Sequence, residues 1–205
     1  MKEGKETKAK LLICGKEEFL KKGYMHASLR KICQNAGVTT GALYFFFKDK
    51  EDLFAALVEE PLRQLYRVMN QHYSEELLQV KEGDLAEVDI ADDLEACYQI
   101  IHYMYQYYDE FQMVLTKSQG SRFEKCVDDF IDISEKHYRI LADKMAQMAD
   151  VPRIDDYMIH WMSHMIVEMF VHMLTHEKSE EAARRHIQYI IRFILAGWFK
   201  LFEKE

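Results

Sequence analysis

Between Ser28 and Phe47 the chain sets capping residues, apolar stripes and one glycine at intervals that leave few folds open. Ser is a preferred N-cap, and Ser28 opens SLRKICQNA, whose Leu29, Ile32, Cys33 and Ala36 share one helical face. Gly37 stops that helix, Val38 follows as an inward plug, and Thr39 is placed to cap a third helix, TTGALYFFF. Upstream, Thr7 to about Lys22 repeats apolar residues at helical spacing and ends on Lys21, Lys22 and Gly23, a basic last turn followed by a glycine stop. Helix, tight glycine turn, helix is the spacing of a helix-turn-helix, although plain helical bundles also join short helices in this way. The start of the third helix favours the first reading. Thr39, Thr40 and Gly41 have little bulk, so that end can approach base edges and phosphates, and Gly41 costs about 1 kcal/mol of helix stability that close approach would explain.

The rest of the chain reads as helix as well. Only 2 Pro and 8 Gly interrupt 205 residues, and 49% are hydrophobic, so the expected class is all-α with about nine helices. Asp49 is placed to cap a long fourth helix with Pro61 inside it, where a kink is expected. Glu82 to Asp93 is acidic and without period, hence a loop; further helices are expected at about 92–108, 109–117, 122–149, 154–176 and 179–203. The expected division is a DNA-binding domain over 1–50 and a ligand-binding and dimerisation domain over 51–205.

Charge divides the chain in the same place. The formal net charge is −8, yet residues 1–50 hold 11 Lys and Arg against 5 Asp and Glu, while the remainder holds 16 against 30. A basic end on an acidic body suggests that one end meets phosphates. No apolar run approaches the ~18 residues of a membrane span, and the first ten residues lack an apolar signal core, so no membrane partner is expected and the expected location is cytoplasmic. Cys14, Cys33, Cys97 and Cys126 lack metal-ligand spacing and read as free thiols; no cofactor is expected.

The string KKGYMHASLRKICQNAGVTTGALYFFFKDKEDLF resembles the N-terminal region of the TetR family of transcriptional regulators, in its G-Y, S-L-R-x-I, A-G-V-T-x-G-x-L-Y-x-x-F and K-x-x-L elements. The resemblance covers about a quarter of the chain, Thr7 to Phe54, with Cys33 and Phe46 departing from the usual residues. It implies that Thr39, Thr40 and Gly41 enter the major groove of a palindromic operator, that Tyr44 and Lys50 hold flanking phosphates, and that Ser28 and Arg30 add backbone contacts. Hydroxyls, ammonium groups and helix N-termini are common phosphate donors. The resemblance further implies a ligand-responsive regulator, a repressor by type and not an enzyme, that binds as a homodimer and is released by a small hydrophobic or aromatic effector.

The last two helices are apolar around most of their circumference, which calls for two partners: their own subunit and a second copy. Phe170, Met173, Ile191, Ile194, Leu195 and Trp198 are the expected dimer contacts. Aromatic and Met side chains at His102, Tyr105, Phe123, Tyr138, Met158, Trp161, Met162 and Met165 are the expected effector lining, although such stripes also build ordinary cores. His160, His164, Glu168, His172 and His176 recur every fourth residue. Pairs at that spacing can bind a metal, but the phase drifts by about 40° per step, so the five cannot share one ion. A metal-responsive sensor and an α-helical enzyme remain the competing classes; no nucleophile–base motif, phosphate loop or HExxH is present.

Overall fold

The computed structural model describes residues 2–82 and 90–204. Among the described residues there are nine α-helices and no strand: α1 (Lys2–His26), α2 (Leu29–Ala36), α3 (Thr40–Phe46), α4 (Lys50–Glu82), α5 (Ile90–Gln106), α6 (Tyr108–Thr116), α7 (Cys126–Ala149), α8 (Asp156–His176) and α9 (Glu180–Lys200). The all-α expectation holds.

The punctuation read from the sequence is where the helices begin and end. Gly23 leaves helical geometry at φ 71°, ψ 165°, so the regular part of α1 stops after Lys22. Ser28 accepts the Lys31 N–H and Thr39 accepts the Ala42 N–H, each closing the first turn of its helix. Gly37 ends α2 at φ 68°, ψ 30°, and its N–H returns to the Cys33 and Gln34 carbonyls. At the start of α4, Asp49 accepts the Asp52 N–H at 2.8 Å while Asp52 accepts the Lys48 N–H at 2.9 Å, a reciprocal cap built from two aspartates. Pro61 lies inside α4, which continues as one helix to Glu82.

The expected loop at Glu82–Asp93 is corrected at both ends. Glu82 belongs to α4, and α5 begins at Ile90, with Asp92 and Asp93 in its first turn, where carboxylates favour a helix N-terminus; residues 83–89 lie outside the described residues. Residues 121–125 form a turn before α7, and α9 ends at Lys200.

Two compact units emerge. The first joins residues 1–64 to 107–126, so it extends past residue 50 and includes α6, which lies far along the sequence. The ties are specific. Lys16 reaches Glu110 at 3.0 Å, the Lys117 carbonyl accepts the Tyr24 N–H at 2.8 Å, the Lys117 ammonium donates to the Leu20 carbonyl, and Glu51 accepts the Arg122 N–H at 3.1 Å. Leu11, Phe19, Ile32, Leu43, Leu53 and Phe54 are fully buried in this unit, and Phe54 meets Phe19 edge to face at 4.9 Å.

The second unit holds residues 65–106 and 127–205. Cys97 and Ile101 of α5 pack with Met173 of α8 and Ile187 and Ile191 of α9, while Met145 of α7, Ile159 of α8 and Trp198 of α9 form a second cluster. A buried polar array runs between α4 and α7. Tyr73 stacks on His137 at 3.9 Å, Tyr73 and Ser134 hydroxyls share a 2.8 Å hydrogen bond, and His137 Nε2 lies 2.6 Å from Glu76. Burial pushes the Cys97 thiol up to about 12.

Gly37 offers a direct test of the α2 stop. An added Cβ would meet nothing within 4 Å, so only the backbone resists a side chain. The left-handed cost of about 1–2 kcal/mol outweighs the unfolded-state gain of about 0.4–1 kcal/mol. Gly37→Ala is expected to destabilise the protein by about 1 kcal/mol in urea unfolding, and Gly37→Asn by less; an Ala variant as stable as the parent would show that the turn is not under this constraint.

Candidate nucleic-acid interface

Seven residues of α3 present two faces. Leu43 and the following Phe47 are buried, whereas Thr40, Gly41, Tyr44 and Phe45 are exposed together on the other side. Thr39 is exposed too, but its Oγ1 is engaged by the Ala42 N–H at 3.2 Å, so its first role is to cap the helix. A Cβ added at Gly41 would approach only Thr39 Oγ1, at 3.8 Å. No contact among the described residues therefore requires glycine there, and the bare backbone leaves room for a close approach from outside.

Arg30 and Lys31 are exposed on α2, and Lys48 is exposed just beyond α3. Ser28 Oγ accepts the Lys31 N–H at 3.4 Å, and the Ser28 N–H donates to the nearly buried Glu18 carboxylate at 3.2 Å. Glu18 was not singled out in the sequence. Its signal is only a buried acidic residue on the apolar side of α1, ten positions from the group it holds.

Lys50, the expected phosphate contact, is engaged within its own unit. Its ammonium donates to the carbonyls of Tyr24 at 2.8 Å, Met25 at 3.2 Å and Ala27 at 3.4 Å, and lies 4.5 Å over the Tyr24 ring. With three carbonyl acceptors and a ring around it, this side chain fastens the segment between α1 and α2 to the start of α4. Tyr24 completes the fastening by donating to Glu51 at 2.8 Å. Its phenol is pushed up to about 12, first by burial and then by that carboxylate, so it stays protonated and donating throughout the neutral range.

The expected effector lining does not converge. Tyr138 and Met162 border one cavity of about 70 Å³ in the second unit, together with Tyr73, Cys97, Met169 and Ile194. His102 is exposed, 3.0 Å from Glu180, and Tyr105 donates to the Glu177 carbonyl at 2.9 Å. Met158 packs on the α7–α8–α9 cluster, Trp161 is half-exposed, Met165 borders an open groove along α8 and α9, and Phe123 sits in the first unit, 5.9 Å from Phe54. Periodicity marked these residues as apolar but could not say which face each one lines.

Four of the six expected dimer contacts are turned into their own subunit. Met173, Ile191, Ile194 and Trp198 are buried in their own subunit, and Phe170 and Leu195 border the same cavity. The outward apolar side chains of α8 and α9 are Tyr157, Trp161, Tyr189 and Phe193, all but Trp161 about three-quarters exposed. In the histidine series, His160 pairs with Glu135 at 2.7 Å, and His172 stacks on His176 at 3.9 Å. Among the described residues no group of three or more His, Cys, Asp and Glu is placed to hold a metal ion.

Comparison with known proteins agrees with the geometry at the N-terminus. Residues 14–57 match the family described as bacterial regulatory proteins, tetR family. The repressor BepR of Brucella suis is 39% identical over 56 residues, 27% of this chain and 27% of that one. The regulator AcrR of Shigella flexneri is 42% identical over 57 residues, 28% of this chain and 26% of that one. The matched stretch thus spans about a quarter of the length of either relative. A transcriptional regulator of Aquifex aeolicus shares the fold at TM-score 0.61 and 18% identity, covering 92% of this chain and 99% of that one. Over residues 14–57 the chain is similar to that family, and the resemblance read from the string KKGYMHASLRKICQNAGVTTGALYFFFKDKEDLF is borne out there.

Two substitutions separate fastening from phosphate contact. Lys50→Met is expected to lower stability by about 2 kcal/mol, the scale of charge-assisted hydrogen bonds, in thermal and urea unfolding. It should leave the salt dependence of DNA binding unchanged. Arg30→Ala should do the reverse, flattening the slope of log K against log salt by about 0.9 for each copy of the chain on the duplex, with little change in Tm. A flattened slope for Lys50→Met with unchanged Tm would restore the phosphate role to Lys50.

Proposed function

We propose that this chain is a ligand-responsive transcriptional regulator of the repressor type, acting in the cytoplasm, that binds a palindromic operator as a homodimer. The observation that carries the reading is the exposed set Thr40, Gly41, Tyr44 and Phe45 on a short helix whose start is capped and whose other face is locked into a basic unit. That surface has the size and chemistry to lie in a major groove, with Thr40 and Gly41 at the base edges and Tyr44, Ser28 and Arg30 toward the backbone. The repressor assignment takes support from the relative named as a repressor.

Dimerisation is assigned to the outward face of α8 and α9. Tyr157, Trp161, Tyr189 and Phe193 form an exposed apolar set larger than scattered surface residues require. A two-fold pairing of this face supplies two reading helices for half-sites about 34–36 Å apart.

The effector is assigned to the second unit. The cavity bordered by Tyr73, Tyr138 and Met162 is apolar and aromatic, and an adjoining recess of about 250 Å³ shares His72, Glu76 and Asp93 with it. The inner part has the apolar, aromatic character that suits an apolar effector, and at about 70 Å³ it would have to widen to admit one. Glu75, Asp92 and Glu95 also border the recess, so an anionic effector is disfavoured. Binding would favour a dimer whose reading helices no longer match the half-site spacing, a shift of population between two arrangements.

The test is selection of duplexes from a random pool by the full chain, followed by sedimentation of the protein alone. An enriched inverted repeat and a dimer at micromolar concentration are expected. Phe193→Glu should sediment as a folded monomer and lose the selected duplex. A monomeric parent chain, or no enrichment of any duplex, would defeat the reading.

A further inference from the structure

Phe45 is 82% exposed, the most open large apolar side chain among the described residues. Single exposed apolar residues are ordinary on protein surfaces. This one is distinguished by where it stands and by how it is held. It lies one turn after Gly41, about 40° round the helix from it, and next to Tyr44 on the exposed side of α3. Its ring meets Phe46 edge to face, with centroids 5.0 Å apart and planes at 88°. Phe46 is backed in turn by α1, where a Cβ added at Gly4 would lie 3.8 Å from its ring. One aromatic side chain thus braces another that projects into solvent.

From this we infer that Phe45 reads sequence, by covering the C5-methyl group of a thymine in the major groove beside the base pairs reached by Thr40 and Gly41. The inference rests on the reading of α3 as the DNA-facing helix and names a specificity determinant within it. A phenyl ring offers no hydrogen-bonding atom. Against guanine O6 and N7 or cytosine N4 it would shut polar groups away from water without replacing their partners, which is costly. The thymine methyl is the one apolar group that the major-groove edges present. Phe45 therefore attracts a T·A pair and repels a G·C pair at the same position, so its contribution is selective on both counts. The brace matters because a ring already held outward loses little rotamer freedom when it meets its target.

The test uses the tightest duplex selected from a random pool by the full chain, made once with thymidine and once with deoxyuridine at every thymidine position. That exchange removes methyl groups and keeps every base-pair hydrogen bond. The parent protein is expected to bind the deoxyuridine duplex about fourfold more weakly per covered methyl, the value of ~0.8 kcal/mol for one apolar carbon. Two half-sites give roughly fifteenfold on the same scale. Phe45→Ala should bind the thymidine duplex more weakly than the parent and make no distinction between the two duplexes; Phe45→Leu, still apolar, should keep part of the distinction. Unchanged circular dichroism and Tm in both variants confirm that α3 is intact. Equal affinity of the parent for both duplexes overturns the assignment, as does a thymidine preference that survives Phe45→Ala. An empty selection overturns the DNA-facing reading of α3, and this assignment falls with it.

Discussion

The arrangement depends first on what happens to the carbonyl groups at the end of α1. A helix leaves its last carbonyls without intrahelical donors, and the chain turns sharply at Gly23 before α2 can begin. Two lysines distant in sequence answer that need. Lys117 donates to the Leu20 carbonyl, while Lys50 donates to Tyr24, Met25 and Ala27. Glu18 receives the Ser28 N–H at the start of α2, and the Tyr24 hydroxyl reaches Glu51 on α4. The turn that aims α2 and α3 is therefore held by charge-assisted bonds from α1, α4 and the segment after α6. Those bonds place the reading helix within the unit.

Once that frame is closed, α3 has little choice of orientation. Leu43 and Phe47 are anchored in a core with Leu11, Ile32 and Leu53, and the opposite face is left to solvent. The small start of the helix and the braced Phe45 then form a surface with no internal function. In the second unit the same logic separates two apolar sets on α9. Ile187, Ile191, Ile194 and Trp198 form the inward stripe, and Tyr189 and Phe193 lie on the outer side. One stripe builds the subunit, and the other is left exposed.

Local chemistry was legible in the sequence. Ser28, Gly37, Thr39 and Asp49 sit where a reader of caps and stops places them, because each acts on atoms within four residues of itself. Long-range partners were not. Nothing near Lys50 announces the carbonyls of Tyr24 and Ala27, which only the fold brings to its ammonium. The membership of α6 in the first unit rests on Lys16, Lys117 and Arg122 finding partners 71 to 97 positions away, which periodicity cannot encode. The same limit explains Met173, Ile191 and Trp198: a helix apolar on two sides gives two stripes, and only the packed structure says which one faces inward. Phe45 escaped notice for the opposite reason, since one aromatic among FFF looks like core until its exposure is known.

The most direct test of the account is dimethyl sulfate protection on a duplex selected by the full chain. The reagent methylates guanine N7 in the major groove and adenine N3 in the minor groove, so it reports which groove the protein fills. Protection of guanine N7 in two symmetric patches one helical turn apart, with adenine N3 still reactive there, is the result that a dimer reading through α3 requires. Protection confined to adenine N3, or a single unsymmetric patch, would contradict it.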